Sequence, residues 1–339
     1  MNPPTSPSPT LPTPALPTPA LPTKAEIEQA CRIVYEAMQP TAQYCWPLLN
    51  ERVGAEVWIK HENHGPVGAF KIRGGLVYFR HLREQSRPLG VITATRGNHG
   101  QAIGFAARRE GIPATVCVPY GNSVSKNRAM RSLGVTLVEH GEDFEEARQE
   151  ARRRAETGGL HFVPSFHQWL VAGNSTYSYE LFRAVDGIDV AYVPIGLGSG
   201  ICGMCAAREA LGRKTEIVGV VSAHAAAYHE SFAQRRAVSR RAQTRIADGM
   251  AVPVPDPDAL ELIWRHVARV VTVTDNEVES AMRAIFDDTG NVAEGAGAAG
   301  MAAILKEKDQ LRGKRVATVI SGGNVDREVL ARVLGGGPG

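Results

Sequence analysis

The sequence predicts an α/β protein with two doubly wound, mainly parallel sheets and a ligand cleft between them. Its 339 residues exceed the size of most single domains, so we expect two α/β units. Apolar strand-like runs alternate with helical patterns, and this alternation is typical of parallel sheets covered by helices on both faces. Glycine-rich loops follow several of the predicted strands, and the carboxyl ends of such strands are where ligands bind.

Both halves of the chain contain the alternating pattern. The first helix is predicted to follow Thr23, a residue type suited to an N-cap, with apolar residues at helical spacing from Ile27 to Ala37. Short apolar runs predict strands at 57–60, 90–94, 114–118, 136–138, 190–194, 217–221, 269–273 and 315–320. Helical periodicity predicts helices at 70–85, 101–110, 123–133, 144–157, 201–211, 259–266, 275–289 and 296–306, and the pattern restarts at 179–185.

Composition excludes several classes of protein. Residues 1–23 carry nine prolines and no charged side chain, which predicts a semi-extended, mostly disordered leader, or alternatively a ligand for a proline-binding module. This leader lacks the pattern of a signal peptide. The sequence contains no run of about 18 apolar residues, the length that predicts a membrane span. Five cysteines form an odd, sparse set that suits a reducing compartment, so we expect a cytoplasmic protein. A net charge of +3 without a long basic block argues against nucleic acid as a partner.

Lys71 lies in the segment GAFKIRGG, at the start of a predicted helix. Its neighbours in this segment are mostly apolar, so the amine is expected to be partly desolvated. Desolvation lowers the pKa of an amine and makes it usable as a nucleophile and a base. Taken alone, this loop favours the alternative of a lysine that reaches water from a helix start.

Two further loops present backbone amides at predicted helix starts. In TRGNHGQA, residues 95–102, a helix dipole combines with short polar side chains, which suits a carboxylate, although a simple turn is the alternative. In GLGSG, residues 196–200, glycines allow backbone amides to approach a phosphate. That loop lacks the P-loop lysine and the third glycine of the dinucleotide pattern, so a phosphomonoester fits better. The last strand ends at Ser321, followed by two glycines.

In this order, the segments GAFKIRG, RGNHGQA, GLGSG and SGGNVD resemble the fold type II family of pyridoxal-phosphate enzymes. This fold is like that of the tryptophan synthase β subunit, and the resemblance is to the threonine/serine dehydratase and serine racemase branch, over residues 27–334. It implies pyridoxal 5'-phosphate bound between a large cofactor-binding domain, residues 24–60 and 156–339, and a small substrate-carboxylate domain, residues 61–155. The resemblance also implies a homodimer, the usual oligomeric state of the family.

The resemblance also implies roles for individual residues. Lys71 is the catalytic residue and binds the cofactor as a Schiff base, Asn98 faces the ring hydroxyl, and Ser321 bonds the pyridine nitrogen. A neutral serine does not keep that nitrogen protonated, which favours elimination over transamination. The phosphate is held by Gly196, Leu197, Gly198, Ser199 and Gly200. The substrate is held by Thr95, Gly97, Asn98, His99 and, by approximate alignment, Phe144.

These roles predict a dehydratase that converts a β-hydroxy-α-amino acid, of the L-threonine or L-serine type, to a 2-oxo acid and ammonia. Phe144, Phe166 and Met250 fall where relatives shape the substrate pocket, so a bulky substrate such as L-threo-3-phenylserine is an alternative, unless all three belong to the core. A racemase or a β-replacement synthase is a further alternative, but Arg96 stands where the racemase has its proton-donating serine. Segment 222–228 lacks the carboxylates of metal-using relatives, so no metal site is expected.

Overall fold

The predicted α/β fold is confirmed by a computed structural model, which describes residues 19–336. Most of the predicted leader, residues 1–18, lies outside the described residues. The described strands, in chain order, are β1 Gln43–Cys45, β2 Glu56–His61, β3 Val91–Ala94, β4 Ala114–Val118, β5 Thr136–Glu139, β6 His161–Phe162, β7 Val190–Pro194, β8 Glu216–Ser222, β9 Arg269–Val273 and β10 Arg315–Ile320.

Helices separate almost all of these strands. In chain order they are α1 Lys24–Tyr35, α2 Pro47–Val53, α3 Lys71–Gln85, α4 Asn98–Arg109, α5 Val124–Ser132, α6 Phe144–Gly158, α7 Gln168–Ala184, α8 Ser199–Ala210, α9 Ala227–Gln234, α10 Pro257–His266, α11 Asp275–Thr289, α12 Gly295–Lys306 and α13 Arg327–Gly335. Thr23 caps α1 as predicted, and it forms a capping box with Glu26. Within residues 19–336, no helix is long and apolar enough to cross a bilayer.

The larger sheet has the strand order β1-β2-β10-β7-β8-β9. All its pairings are parallel except that of the edge strand β1 with β2. Strands β7 and β10 are almost wholly buried, as expected for parallel strands with helices on both faces. Because β2, β10 and β7 are parallel neighbours, their carboxyl ends lie side by side at one edge of the sheet.

The smaller sheet has the order β5-β4-β3-β6, and all its strands are parallel. Its last strand, β6, pairs with β3 and lies beyond residue 155. The smaller sheet therefore includes residues 161–162, beyond the predicted domain boundary at 155/156. Periodicity did not detect β6 because two residues are too few to show alternation.

The sequence also missed most of α7, for which only the segment 179–185 was noted. This helix is buried along most of its length, between α3 and α8, so its polar and apolar residues do not alternate with a helical period. Four buried charged side chains fix α3 and α7 to β2. Arg73 donates to Glu62 and Glu180, and Lys60 donates to Glu180 at 2.6 Å.

Candidate active site

The start of α3, which carries Lys71, is attached to the carboxyl edge of the larger sheet. The amide of Phe70 donates a hydrogen bond to the carbonyl oxygen of Ser321, 3.0 Å away, directly after β10. Ala69 forms a β-bridge with Gly322. These contacts bring Lys71 and Ser321, which are 250 residues apart in the sequence, to the same place.

Lys71 is the first residue of α3 and is partly buried at the wall of a cavity. Its Nζ lies 5.1 Å from the centre of the Phe70 ring. Burial lowers the pKa of Lys71 to about 8, and the nearby carboxyl of Glu294 opposes this shift. A lysine with this pKa is partly uncharged near neutral pH, which suits a nucleophile and a base.

The glycine-rich loop ends β7 and starts α8. The first hydrogen bond within α8 joins the amide of Cys202 to the carbonyl of Gly198, so the amides of Ser199, Gly200 and Ile201 are not used by the helix. Gly198 has a φ of 104°, which favours glycine. A helix start with free amides and no bulky side chain suits a phosphate.

The second loop follows β3. Its helix, α4, begins at Asn98, three residues earlier than predicted, so Asn98 and His99 lie in the first helical turn. The first bond of α4 joins Gln101 to Gly97, which leaves the amides of Asn98, His99 and Gly100 available for an anion. Burial, aided by the charge of Lys71, lowers the pKa of His99 to about 3, so this side chain is neutral.

The Asn98 side chain is held on both sides. Its amide nitrogen donates to Oε1 of Glu294, and its oxygen accepts a 2.9 Å hydrogen bond from Asn324. Asn324 in turn donates to the carbonyl of Val67, in the loop before Lys71. Asn98 is thus fixed between the two sheets with a defined orientation.

A cavity of ≈ 320 Å³ lies between the two sheets, and several of the polar groups described above line it. Of the predicted site residues, it is lined by Lys71, Thr95, Gly97, Asn98, His99, Phe144 and Leu197. The other predicted residues of the glycine-rich loop, and Ser321, are not part of the lining. They lie at the ends of β7 and β10, neighbouring strands of the larger sheet.

Part of the cavity lining is largely apolar. Phe166 lines it as predicted, together with Phe162 and the segment 251–257. Met250 does not line it: this side chain is 2% exposed and belongs to the hydrophobic core, which corrects its assignment to the pocket. Arg96 also lines the cavity, and its side chain forms no ion pair or hydrogen bond within residues 19–336.

Three charged residues of this region were missed in the sequence. Glu294 is buried at the N-terminus of α12, Lys126 lies in the first turn of α5, and Asp248 lies between α9 and α10. A single acidic residue before the small apolar residues of α12 was the only signal for Glu294. Lys126 carried no signal, because charged residues are common in exposed helices.

Comparisons with known proteins agree with this geometry. Residues 34–322 match the family described as pyridoxal-phosphate dependent enzymes. The L-threonine ammonia-lyase of Thermotoga maritima is 34% identical over 92% of this chain and 78% of its own length. A catabolic L-threonine dehydratase of Staphylococcus aureus is 32% identical over 82% of this chain and 81% of its own.

Solved structures of a threonine deaminase and a serine racemase are also similar to this chain. The processed form of threonine deaminase isoform 2 from Solanum lycopersicum is similar with a TM-score of 0.84 and 27% identity, covering 94% of this chain and 96% of that one. Maize serine racemase is similar with a TM-score of 0.86 and 26% identity, covering 92% of this chain and 97% of that one.

Proposed function

This chain belongs to the pyridoxal-phosphate dependent enzymes, and on that premise we propose that it is a dehydratase, an ammonia-lyase acting on β-hydroxy-α-amino acids. L-threonine and L-serine are the first candidates, and the products are the 2-oxo acid and ammonia. The observation that carries the proposal is Lys71, an amine of lowered pKa in the wall of a cavity that two helix N-termini border. The relatives named as threonine ammonia-lyases and dehydratases support the same reaction.

The residues fit pyridoxal 5'-phosphate. The free amides of Ser199, Gly200 and Ile201 are suited to the phosphate, and Lys71 supplies the amine for covalent attachment. Asn98, whose side chain is fixed by Asn324, would face the ring hydroxyl, and the buried Ser321 would offer a neutral hydroxyl to the ring nitrogen. When bound, the cofactor withdraws electrons from the α-carbon of an amino acid, so that its proton becomes acidic.

The chain's own groups then account for the elimination. The amides at the start of α4, with Thr95 and the neutral His99, hold the substrate carboxylate and so fix the orientation of the α-carbon. The amine of Lys71 would remove the α-proton. The proton that Lys71 takes up balances the one with which the β-hydroxyl leaves as water, and hydrolysis of the remaining enamine releases the oxo acid and ammonia.

The release of 2-oxo acid from L-serine, L-threonine and both stereoisomers of threo-3-phenylserine tests the proposal. We expect oxo acid and ammonia in equal amounts from at least one of them, and a rate lower by about 10²–10⁴-fold with Lys71→Ala. Absence of oxo acid from every substrate, in a preparation that contains bound cofactor, contradicts the proposal. The ratio of kcat/KM values identifies the preferred side chain.

A substrate with a bulky, aromatic β-substituent is a second candidate. The apolar part of the cavity lining consists of Phe144, Phe162, Phe166 and the apolar residues of segment 251–257. Burying an aromatic ring against such a surface contributes about 25 cal/mol for each Å² removed from water. A kcat/KM for 3-phenylserine above that for L-serine, and its decrease in Phe144→Ala, support this candidate. A preference for L-serine contradicts it.

The proposal includes a homodimer in the cytoplasm. All five cysteines carry free thiols, which suits a reducing compartment. Light scattering of the purified protein distinguishes a dimer from a monomer. A monomeric mass at the concentrations of the activity assay contradicts the dimer.

A further inference from the structure

Lys126, in the first turn of α5, pairs with two acidic residues from distant parts of the chain, Asp248 and Glu294. Its Nζ lies 2.6 Å from Oδ2 of Asp248 and 3.7 Å from Oε2 of Glu294. The side chain is buried, and it passes directly against the loop before α4: a Cβ added to Gly97 would lie 2.5 Å from Cδ of Lys126. Lys126 and Asp248 both line the cavity, next to the loop that carries Asn98.

Glu294 is the partner in this cluster that has the least access to water. It is 3% exposed, whereas the side chain of Asp248 is 37% exposed, so solvent screens the ion pair with Asp248. Oε1 of Glu294 accepts the hydrogen bond from Asn98, but Oε2 has no hydrogen-bond partner within the described residues. Lys126 is the nearest positive charge to that oxygen, at ion-pair distance.

The ionisation of Glu294 depends on three charged neighbours. Burial raises the pKa of Glu294 to about 7, Lys126 opposes this shift, and Asp248 adds to it. The third neighbour is Lys71. The Glu294 carboxyl opposes the lowering of the Lys71 pKa by burial. Hydrogen bonds to an ionised acceptor are roughly twice as strong as neutral ones, so the charge of Glu294 determines how firmly Asn98 is held.

We propose that Lys126 is a positioning residue: its ammonium favours the ionised form of Glu294, and Glu294 in turn holds the Asn98 side chain beside the cavity. Without this charge, the protonated form of Glu294 predominates at neutral pH, and its hydrogen bond with Asn98 weakens. The inference rests on the proposed function only where activity is measured, because the charge of Glu294 can be observed directly.

The test is infrared spectroscopy of the full-length holoenzyme as a function of pH. The carbonyl band of the protonated Glu294 carboxyl is identified by its loss in Glu294→Gln. We expect Lys126→Met to raise the titration midpoint of this band by about one pH unit or more, since a stabilising positive charge is removed. Asp248→Asn should lower the midpoint, because it removes a negative charge that raises the pKa of Glu294.

Two further variants separate charge from packing. Lys126→Arg should keep the midpoint near that of the wild type. Ser125→Ala, on the same helix, removes a hydrogen bond to Asp326 without changing any charge, and should leave the midpoint in place. In all variants that turn over a substrate, the acidic limb of the kcat/KM profile should follow the infrared midpoint.

An unchanged midpoint in Lys126→Met overturns the proposal, and so do shifts of the same sign in Lys126→Met and Asp248→Asn. Damage to the packing alone does not move the midpoint in opposite directions in these two variants. If Lys126→Met does not fold, the downward shift in Asp248→Asn supports the proposal and its absence overturns it. A failure of the proposed dehydratase activity leaves these infrared results readable.

Discussion

The ring of Phe70 lies against Gly200, where a Cβ would be 3.4 Å from the ring edge. This contact joins the start of α3, which carries Lys71, to the start of α8, whose free amides suit a phosphate. Tyr177 strengthens the junction, because its ring packs edge-on against Phe70 and its hydroxyl donates to the carbonyl of Gly200. The distance between the reactive amine and the phosphate-binding amides is thus fixed by packed side chains, which is the condition for a preorganised site.

Lys71→Ala is expected to abolish covalent attachment of the cofactor and to lower kcat by about 10²–10⁴-fold, the range supplied by a positioned acid or base. Borohydride reduction of the wild-type holoenzyme, followed by peptide mapping, should locate the cofactor on the Lys71 peptide. The exposed Lys214 provides a control, since Lys214→Ala should leave labelling and turnover as they are. Labelling of any other lysine contradicts the assignment.

Gly198→Ala is expected to weaken cofactor binding by roughly tenfold or more, a change that corresponds to about 1.4 kcal/mol. A Cβ there would lie 2.6 Å from Cβ of Ala259, and the φ of 104° strains any other residue, so the start of α8 has to move. Gly212→Ala is the matched control, because Gly212 also has a positive φ but nothing within 4 Å. Equal cofactor dissociation constants in the two variants would show that position 198 has no special role.

Arg96→Ser is expected to raise the formation of D-amino acid relative to oxo acid by roughly 10²-fold, the lower end of what a positioned acid contributes. A guanidinium carries hydrogen-bond donors and no acceptor, so it is a poor proton relay, whereas a serine hydroxyl can both accept and pass on a proton. Arg148→Ser is the control, since Arg148 also lines the cavity but is paired with Glu145. Chiral analysis of the remaining substrate measures both. A racemisation ratio that stays the same in Arg96→Ser refutes this role.

Glu180→Ala is expected to destabilise the protein by about 3–5 kcal/mol, because it leaves Lys60 and Arg73 as buried charges without this partner. Urea unfolding of the two proteins measures the difference. Glu139→Ala serves for comparison: it breaks an exposed pair with Arg131, and such pairs contribute about 0–1 kcal/mol. A loss in Glu180→Ala no greater than that in Glu139→Ala would rule out a stabilising role for the buried cluster.

Local patterns in the sequence were sufficient for the α/β class, the Thr23 cap, most strands, and the three loops that carry Lys71, Asn98 and Ser199. These features depend on residues close in the chain: apolar runs, helical periodicity, and glycines before a helix. The strand β6 and most of α7 escaped detection, the first because it is too short and the second because it is buried on nearly every side.

Only the tertiary structure showed that Glu294, Lys126 and Asp248 form one cluster with Asn98, since they come from separate segments and meet where the two sheets face each other. The same is true of Met250, a residue type that suits a pocket and a core equally, and which packing assigned to the core. Burial and charge proximity set the pKa values of Lys71, His99 and Glu294, and neither quantity exists until distant segments have packed together.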